Sequence, residues 1–242
     1  MVLAKRLHQK KRVGRLTKEG KSLEENPMNR RTAIALLVFA VFLQSTISGP
    51  ASALDFSQDE IRRLSEGKAV IKPLPKSRQN GFYGGAGFSL VDAPIDVVWK
   101  ALEDWKAYPE IFPKTIGAQE ISRKDGRSLI KVQLGYKILN VQYHMAISRD
   151  WDTKTITFNL SSGQAHDIDS TKGYWKLMPQ ADGRTLVAYT VAVQVPHGIV
   201  AFLGDKVERS LERNLLGLPK YVKRYVEGEA GKKYGRMTAK IQ

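Results

Sequence analysis

The chain is predicted to be α+β: one antiparallel sheet of seven strands with a buried face, two short helices after the first strand, and a long C-terminal helix. Three observations predict it. Seven segments between Phe82 and Val195 carry strand patterns, and two of the links between them contain Asp-Gly. One helical stripe interrupts the strands, directly after the first of them. From Val200 to Tyr225 apolar residues recur at a mean spacing close to 3.6, the period of an α-helix.

The first strand is Phe82 to Val91, with Gly81, Gly84, Gly85 and Gly87 in or beside it. A phosphate-binding loop would need Lys-Ser or Lys-Thr after such glycines, and none follows. The reading is a bulge, or a point where another backbone or a ligand approaches closely. Next, Ile95, Val98, Trp99 and Leu102 fall at i, i+3, i+4 and i+7, one face of a helix. Asp92 is the expected N-cap, Pro94 suits the first turn, and Asp96 complements the helix dipole. The helix is expected to end near Trp105. Tyr108-Pro109 and Phe112-Pro113 then force turn or extended backbone, with a very short helix between them. Tyr108 and Phe112 read equally well as pocket rim and as core.

The remaining strands are Ile116 to Ser122, Leu129 to Leu134, Ile138 to Arg149, Thr155 to Leu160, Ser170 to Met178 and Thr185 to Val195. Asp125-Gly126 is a strong hairpin signal, and Asp182-Gly183 joins the last pair. In the third of these, Val141, Tyr143, Met145 and Ile147 share one face, leaving Asn140, Gln142 and His144 on the face expected to be solvated. Short turns throughout imply antiparallel pairing with one face buried. The last helix, Ile199 to Val226, would run roughly 42 Å if straight. Gly217 and Pro219 predict a kink. Residues 229–242 are basic and unpatterned, and read as a flexible tail.

The net charge is +15, part of it outside the domain. Residues 1–27 hold eight Lys or Arg against three Glu and read as a mis-called start or a long basic lead-in. Ala33 to Leu43 is an apolar run of 11 residues, too short to span a membrane but suited to a signal-peptide core. Ala51-Ser52-Ala53 fits a cleavage site. Residues 28–53 are therefore expected to be a signal peptide cleaved after Ala53, and the protein exported to the periplasm; an uncleaved membrane anchor is the alternative. Residues 54–242 retain 29 Lys and Arg against 21 Asp and Glu, a moderately basic +8 that could favour an anionic membrane surface. Residues 54–80 read as an N-terminal arm or as a segment packed over the domain, with a short helix at Asp59 to Leu64 and extended chain at Val70 to Pro75. No basic stripe interleaved with aromatics appears, so nucleic acid is not an expected partner. The chain has no cysteine, which excludes disulfides, a thiol nucleophile and a Cys-ligated zinc site.

Three motifs carry a family resemblance: VDAPIDVVWKALEDWKAYPEIFP at Val91 to Pro113, KGYWKLMP at Lys172 to Pro179, and the last helix with Asn214-Leu215. With them, and in its element order, the chain resembles the START-like (SRPBCC) superfamily, in its polyketide cyclase / coenzyme Q-binding branch. The resemblance covers about residues 82–227. It implies a helix-grip fold, in which the curved sheet wraps around the C-terminal helix and leaves a hydrophobic cavity. Members bind lipids, sterols, quinones, polyketides or plant hormones, and some are cyclases. The ligand-binding domain is placed at residues 81–228.

Inward strand faces and the final helix each supply an apolar wall, and such a space is a default ligand site. The candidate liners on the strands are Tyr143, Met145, Phe158, Trp175, Tyr189 and Val191; those on the helix are Leu203, Val207 and Leu211. Tyr108 and Phe112 join them from the knuckle, and His197 from the cavity mouth. His144 reads as a solvated surface residue, and His166 to Asp169 as a polar loop rather than a metal cluster. No nucleophile elbow, HExxH or paired-carboxylate motif is present. No catalytic residue, metal or cofactor is assigned. The expected protein is a monomeric binder or carrier of a hydrophobic small molecule (a lipid, isoprenoid, quinone or sterol-like compound) exchanged at a membrane. A cyclase or dehydratase acting on a polyketide-like substrate, and an interaction module with a closed cavity, are the alternatives.

Overall fold

The strand patterns pair as one antiparallel sheet in the order β1-β2-β8-β7-β6-β5-β4-β3. The computed structural model describes residues 55–75, 81–136, 139–196, 198 and 212–239, with side chains described to residue 235. The strands are β1 (Val70–Pro73), β2 (Phe82–Val91), β3 (Thr115–Lys124), β4 (Arg127–Tyr136), β5 (Leu139–Asp150), β6 (Thr155–Leu160), β7 (Ser170–Pro179) and β8 (Thr185–Gln194). The helices are α1 (Gln58–Ser65), α2 (Ile95–Glu103), α3 (Tyr108–Ile111), α4 (Leu218–Glu227) and α5 (Lys232–Ala239), with single 3-10 turns at Trp105–Ala107 and Glu229–Gly231. The order is the α+β helix-grip arrangement expected, with eight strands in place of seven.

The eighth strand is β1. The chain there is short and ends in proline, so it reads only as extended. It becomes a strand because β2 offers an open edge, with Val70 opposite Phe88 and Pro73 opposite Gly85. Proline is tolerated at such an edge. Ahead of it, α1 starts with a capping box: Ser57 Oγ accepts from the Glu60 backbone N–H, and Glu60 accepts from the Ser57 N–H. Leu64, Val70, Ala86, Phe88 and Ala188 then form a small core with Phe56. The expected arm is thus joined to the sheet.

Between β2 and β3, α2 buries Val97, Val98, Trp99, Ala101 and Leu102, a wider face than the stripe alone marks. Pro94, not Asp92, is its cap, and no side chain bonds the first turn. The Asp92 backbone N–H is taken instead by the Glu227 carboxylate, 2.7 Å away, which ties the helix entry to α4. The helix ends at Glu103, two residues before the expected Trp105.

At the C-terminus, residues 212–216 are helical, Gly217 interrupts, and α4 resumes with Pro219 in its first turn. The break expected at Gly217 and Pro219 is there. The first part of the long helix, with Leu203, Val207 and Leu211, lies outside the described residues, as do His197, the apolar run at 33–43 and the Ala53 cleavage site. Leu216 and Val222 are fully buried against the sheet. The approach is closest at Gly87, where an added Cβ would lie 1.9 Å from the Leu216 carbonyl oxygen. Glycine is required there because another backbone occupies the side-chain space, one of the two roles read for it.

Residues 229–239 are not simply a frayed tail. The chain folds into a 3-10 turn and α5, and Tyr234 is buried. The Tyr234 hydroxyl donates to Asp104 Oδ2 at 2.7 Å, and Lys233 pairs with the same oxygen at 3.0 Å. One buried tyrosine and one shared carboxylate order a stretch that lacks any apolar period.

Candidate functional site

Between the concave face of the sheet and the helical elements lies a cavity of about 180 Å³. A cavity of about 150 Å³ takes one benzene ring, so this one has room for a small apolar group. Its wall is built by period-2 alternation. Tyr143 and Met145 point inward from β5, Phe158 from β6, Trp175 from β7, and Tyr189 and Val191 from β8. Register sets them side by side: Trp175 lies opposite both Ile156 and Tyr189. Phe158 lies opposite Gly173, where an added Cβ would come within 2.5 Å of the Phe158 ring. A glycine in β7 therefore makes room for an aromatic of β6.

The knuckle closes the wall from the other side. Trp105, Tyr108 and Phe112 come from the 3-10 turn, α3 and the residue after it, and all three are buried. A continuous series of ring contacts joins the two sides. Trp105 meets Tyr108 at 5.0 Å, Tyr108 meets Phe112 at 4.8 Å, and Phe112 stacks on Trp175 at 6.1 Å. Trp175 meets Tyr189 at 4.2 Å, and Tyr189 stacks on Phe158 at 5.8 Å. Each such pair contributes about 0.5–1.5 kcal/mol beyond area burial, so the wall is preformed and stiff. For Tyr108 and Phe112, which read equally as rim and core, both descriptions hold: they are buried and they face the cavity.

The polar atoms on this wall are few. Burial pushes the Tyr108, Tyr143 and Tyr189 phenols well above the ordinary tyrosine range, so each stays protonated. Tyr108 donates to the Leu102 carbonyl at 2.8 Å. Among the described residues the Tyr143 and Tyr189 hydroxyls form no hydrogen bond, and the buried Trp105 Nε1–H has no acceptor. Trp105 Nε1 is closed off even from the cavity, whereas a ligand oxygen there would give the Tyr143 and Tyr189 hydroxyls an acceptor.

Eight of the expected liners thus meet in one cavity: Tyr108, Phe112, Tyr143, Met145, Phe158, Trp175, Tyr189 and Val191. His197, Leu203, Val207 and Leu211 lie outside the described residues. Sequence reasoning missed Trp105, Lys114, Tyr136 and Ile168, all wall residues. Trp105 sits in a single 3-10 turn and Lys114 in irregular chain, both too short for a period to mark a face. Tyr136 ends β4 and could have been found by extending the β4 alternation from Val132 and Leu134 by one step.

His144 departs from expectation. It is buried rather than solvated, because the loop at 161–169 folds over β5. Its Nδ1–H donates to the Ala165 carbonyl at 3.0 Å. The loop is further held by Ser161 N–H to the His144 carbonyl and by a mutual pair between Gln142 and Asp167. This folding also buries Ile168 against the cavity. Among the described residues no group of three or more His, Asp or Glu could hold a metal ion. No helix among them is long and apolar enough to cross a membrane.

The family model described as "Polyketide cyclase / dehydrase and lipid transport" matches residues 91–217, just over half the chain. The chain belongs to this family. Structures of the same fold include a protein of Thermus thermophilus, with 17% identity and a TM-score of 0.52, matched over 59% of this chain and 96% of that one. A STAR-related lipid transfer protein of Xanthomonas axonopodis matches at 14% identity and a TM-score of 0.50, over 65% of this chain and 98% of that one. An aromatase/cyclase of Streptomyces matches more weakly, at 17% identity and a TM-score of 0.44, over 66% and 96%. No curated protein matches. The first two structures share the START-like fold with this chain, and the family membership establishes a fold for hydrophobic ligands, used for lipid transport or for cyclisation.

Proposed function

We propose that this family member is a binding or carrier protein that holds a hydrophobic small molecule in the cavity and exchanges it at a membrane. The observation that carries the reading is the wall of stacked aromatics with two unpartnered tyrosine hydroxyls. An apolar interior with a few convergent polar groups is the general form of a small-molecule site. The described wall residues include no carboxylate and no imidazole. Burial holds Tyr108, Tyr143 and Tyr189 protonated, so they donate hydrogen bonds rather than accept protons at neutral pH. General-base chemistry works best with a group that titrates near the working pH. Retention of an unchanged ligand is therefore favoured over turnover, although the family description names both lipid transport and cyclisation.

Export through residues 28–53 would put the carrier at the envelope, where a basic surface meets anionic lipid. The test is native mass spectrometry of the protein purified from its own cells, followed by organic extraction. A stoichiometric apolar molecule, recovered unchanged, is the expected result. A clean unliganded mass, with no uptake from a lipid extract, would overturn the carrier reading. Recovery of a chemically altered molecule would move the assignment to an enzyme.

A further inference from the structure

We propose that Lys114 selects the head group: the cavity takes an amphiphile with one anionic end, its chain among the aromatics and its charge at Lys114. This rests on the carrier reading and adds a ligand class to it. Among the described wall residues, Lys114 is the one formally charged side chain. It is exposed, whereas its neighbours Phe112 and Thr115 are buried, so it marks where the cavity meets solvent. Its ammonium lies 5.9 Å from the centre of the Tyr136 ring, itself part of the wall.

Two further observations describe how Lys114 is held at this rim. Its backbone has φ +82°, a left-handed conformation that glycine or asparagine adopts more cheaply. The turn is fixed from both sides, with Gly135 N–H donating to the Lys114 carbonyl at 2.7 Å and Thr115 N–H to the Phe112 carbonyl at 3.0 Å. A charged side chain is thus held at a strained point of the cavity rim, and such strain clusters at ligand-binding positions. Second, Lys114 has no carboxylate partner among the described residues. Lys72, Lys223, Lys233 and Arg149 are paired with Glu60, Glu227, Asp104 and Glu103, whereas Lys124, Lys131 and Lys172 are unpaired like Lys114; what sets Lys114 apart is that its free ammonium stands at the cavity rim. An unpaired ammonium at the rim of an apolar cavity matches a carboxylate or a phosphate on an apolar chain. The cavity's volume of about 180 Å³, near the size that takes one benzene ring, sets a short chain of about six carbons.

The test compares three ligands of one chain length on the full-length protein: hexanoate, hexyl phosphate and methyl hexanoate, each below its micelle concentration. Binding is read by calorimetry and by fluorescence of the wall tryptophans Trp105 and Trp175. At least one of the two anions is expected to bind about fivefold tighter than the ester, the size of a half-exposed ion pair. That preference should fall as salt rises. Lys114→Gln should abolish it without weakening the ester, and Lys114→Arg should retain it. Lys114→Gly should also abolish it while raising Tm, because the backbone strain is relieved. Equal binding of ester and anions, or a preference that survives Lys114→Gln, would overturn the inference and leave the carrier reading standing. Binding of none of the three would count against the carrier reading itself and would take this inference with it.

Discussion

Gly87→Ala tests the contact on which the helix–sheet packing depends. Its Cβ would sit 1.9 Å from the Leu216 carbonyl oxygen and 2.9 Å from the carbonyl carbon. An ordinary carbon–oxygen contact is about 3.3 Å, so Leu216 must retreat by about 1.4 Å. Neither side yields easily. Residue 87 lies in β2, which is paired on one edge with β1 and on the other with β8. Leu216 is fully buried. Gly87 has no left-handed φ, so the effect isolates the clash from backbone strain. Overpacking a well-filled core costs about 1–3 kcal/mol, and a backbone–backbone clash belongs at the upper end, about 3 kcal/mol. For a domain of this size that lowers Tm by about 6–12 °C. Retreat of Leu216 also drags Leu215 and Asn214, which are on the cavity wall, so ligand retention should weaken together with stability. The assay is thermal unfolding by circular dichroism at matched concentration. Gly163→Ala is the control, since an added Cβ there meets nothing within 4 Å, and it should change stability by less than about 0.5 kcal/mol. A Gly87→Ala protein melting within about 2 °C of the parent would refute the close approach.

Two further predictions concern the cavity wall and its C-terminal brace. Tyr143→Phe and Tyr189→Phe each remove a hydroxyl that has no protein partner among the described residues, so chemical-denaturation stability should stay within about 0.5 kcal/mol or rise, while ligand retention falls. A loss beyond about 1 kcal/mol in either variant would mean that the hydroxyl is paired. For Asp104, burial alone would raise the carboxyl, but hydrogen bonds from Tyr234 and Lys233 outweigh it and hold it below its ordinary 3.8. A depressed folded-state pKa stabilises above the unfolded value and loses that contribution as pH falls through the folded value. The stability gap between the parent and Asp104→Asn should therefore be constant from about pH 5 to 8 and shrink below about pH 4. Urea midpoints at about pH 7, 5 and 3 measure it, and an undiminished gap at the lowest pH would exclude the coupling.

What could be read in advance depended on whether a residue's environment follows a local period. The alternation through Tyr143, Met145, Phe158, Trp175 and Tyr189 was readable because a pleated strand sends every second side chain to one face. Asp125-Gly126 was readable because a two-residue hairpin turn demands left-handed backbone at both positions, and the pair adopts φ of 49° and 73°. Val70–Pro73 was not readable as a strand, because four residues ending in proline become one only when an open edge is offered. His144 was misplaced for a related reason: alternation puts it on the outer face of the sheet, and only the loop at 161–169, folding back over β5, removes it from water.

Element order, the sheet's inward face, the kink at Gly217 and the aromatic character of the cavity follow from local periodicity, turn chemistry and backbone sterics, which act over a few residues. Long-range packing set the rest. It joined Trp105, Tyr108 and Phe112 to Trp175 and Tyr189 across more than sixty residues of chain. It gave Gly87 its reason in a carbonyl 129 residues away and ordered the C-terminal basic stretch through one buried tyrosine. It also put an unpaired lysine at the rim of an apolar cavity. Those outcomes depend on which distant surfaces meet, and burial, strain and charge pairing are properties of the meeting rather than of either segment alone.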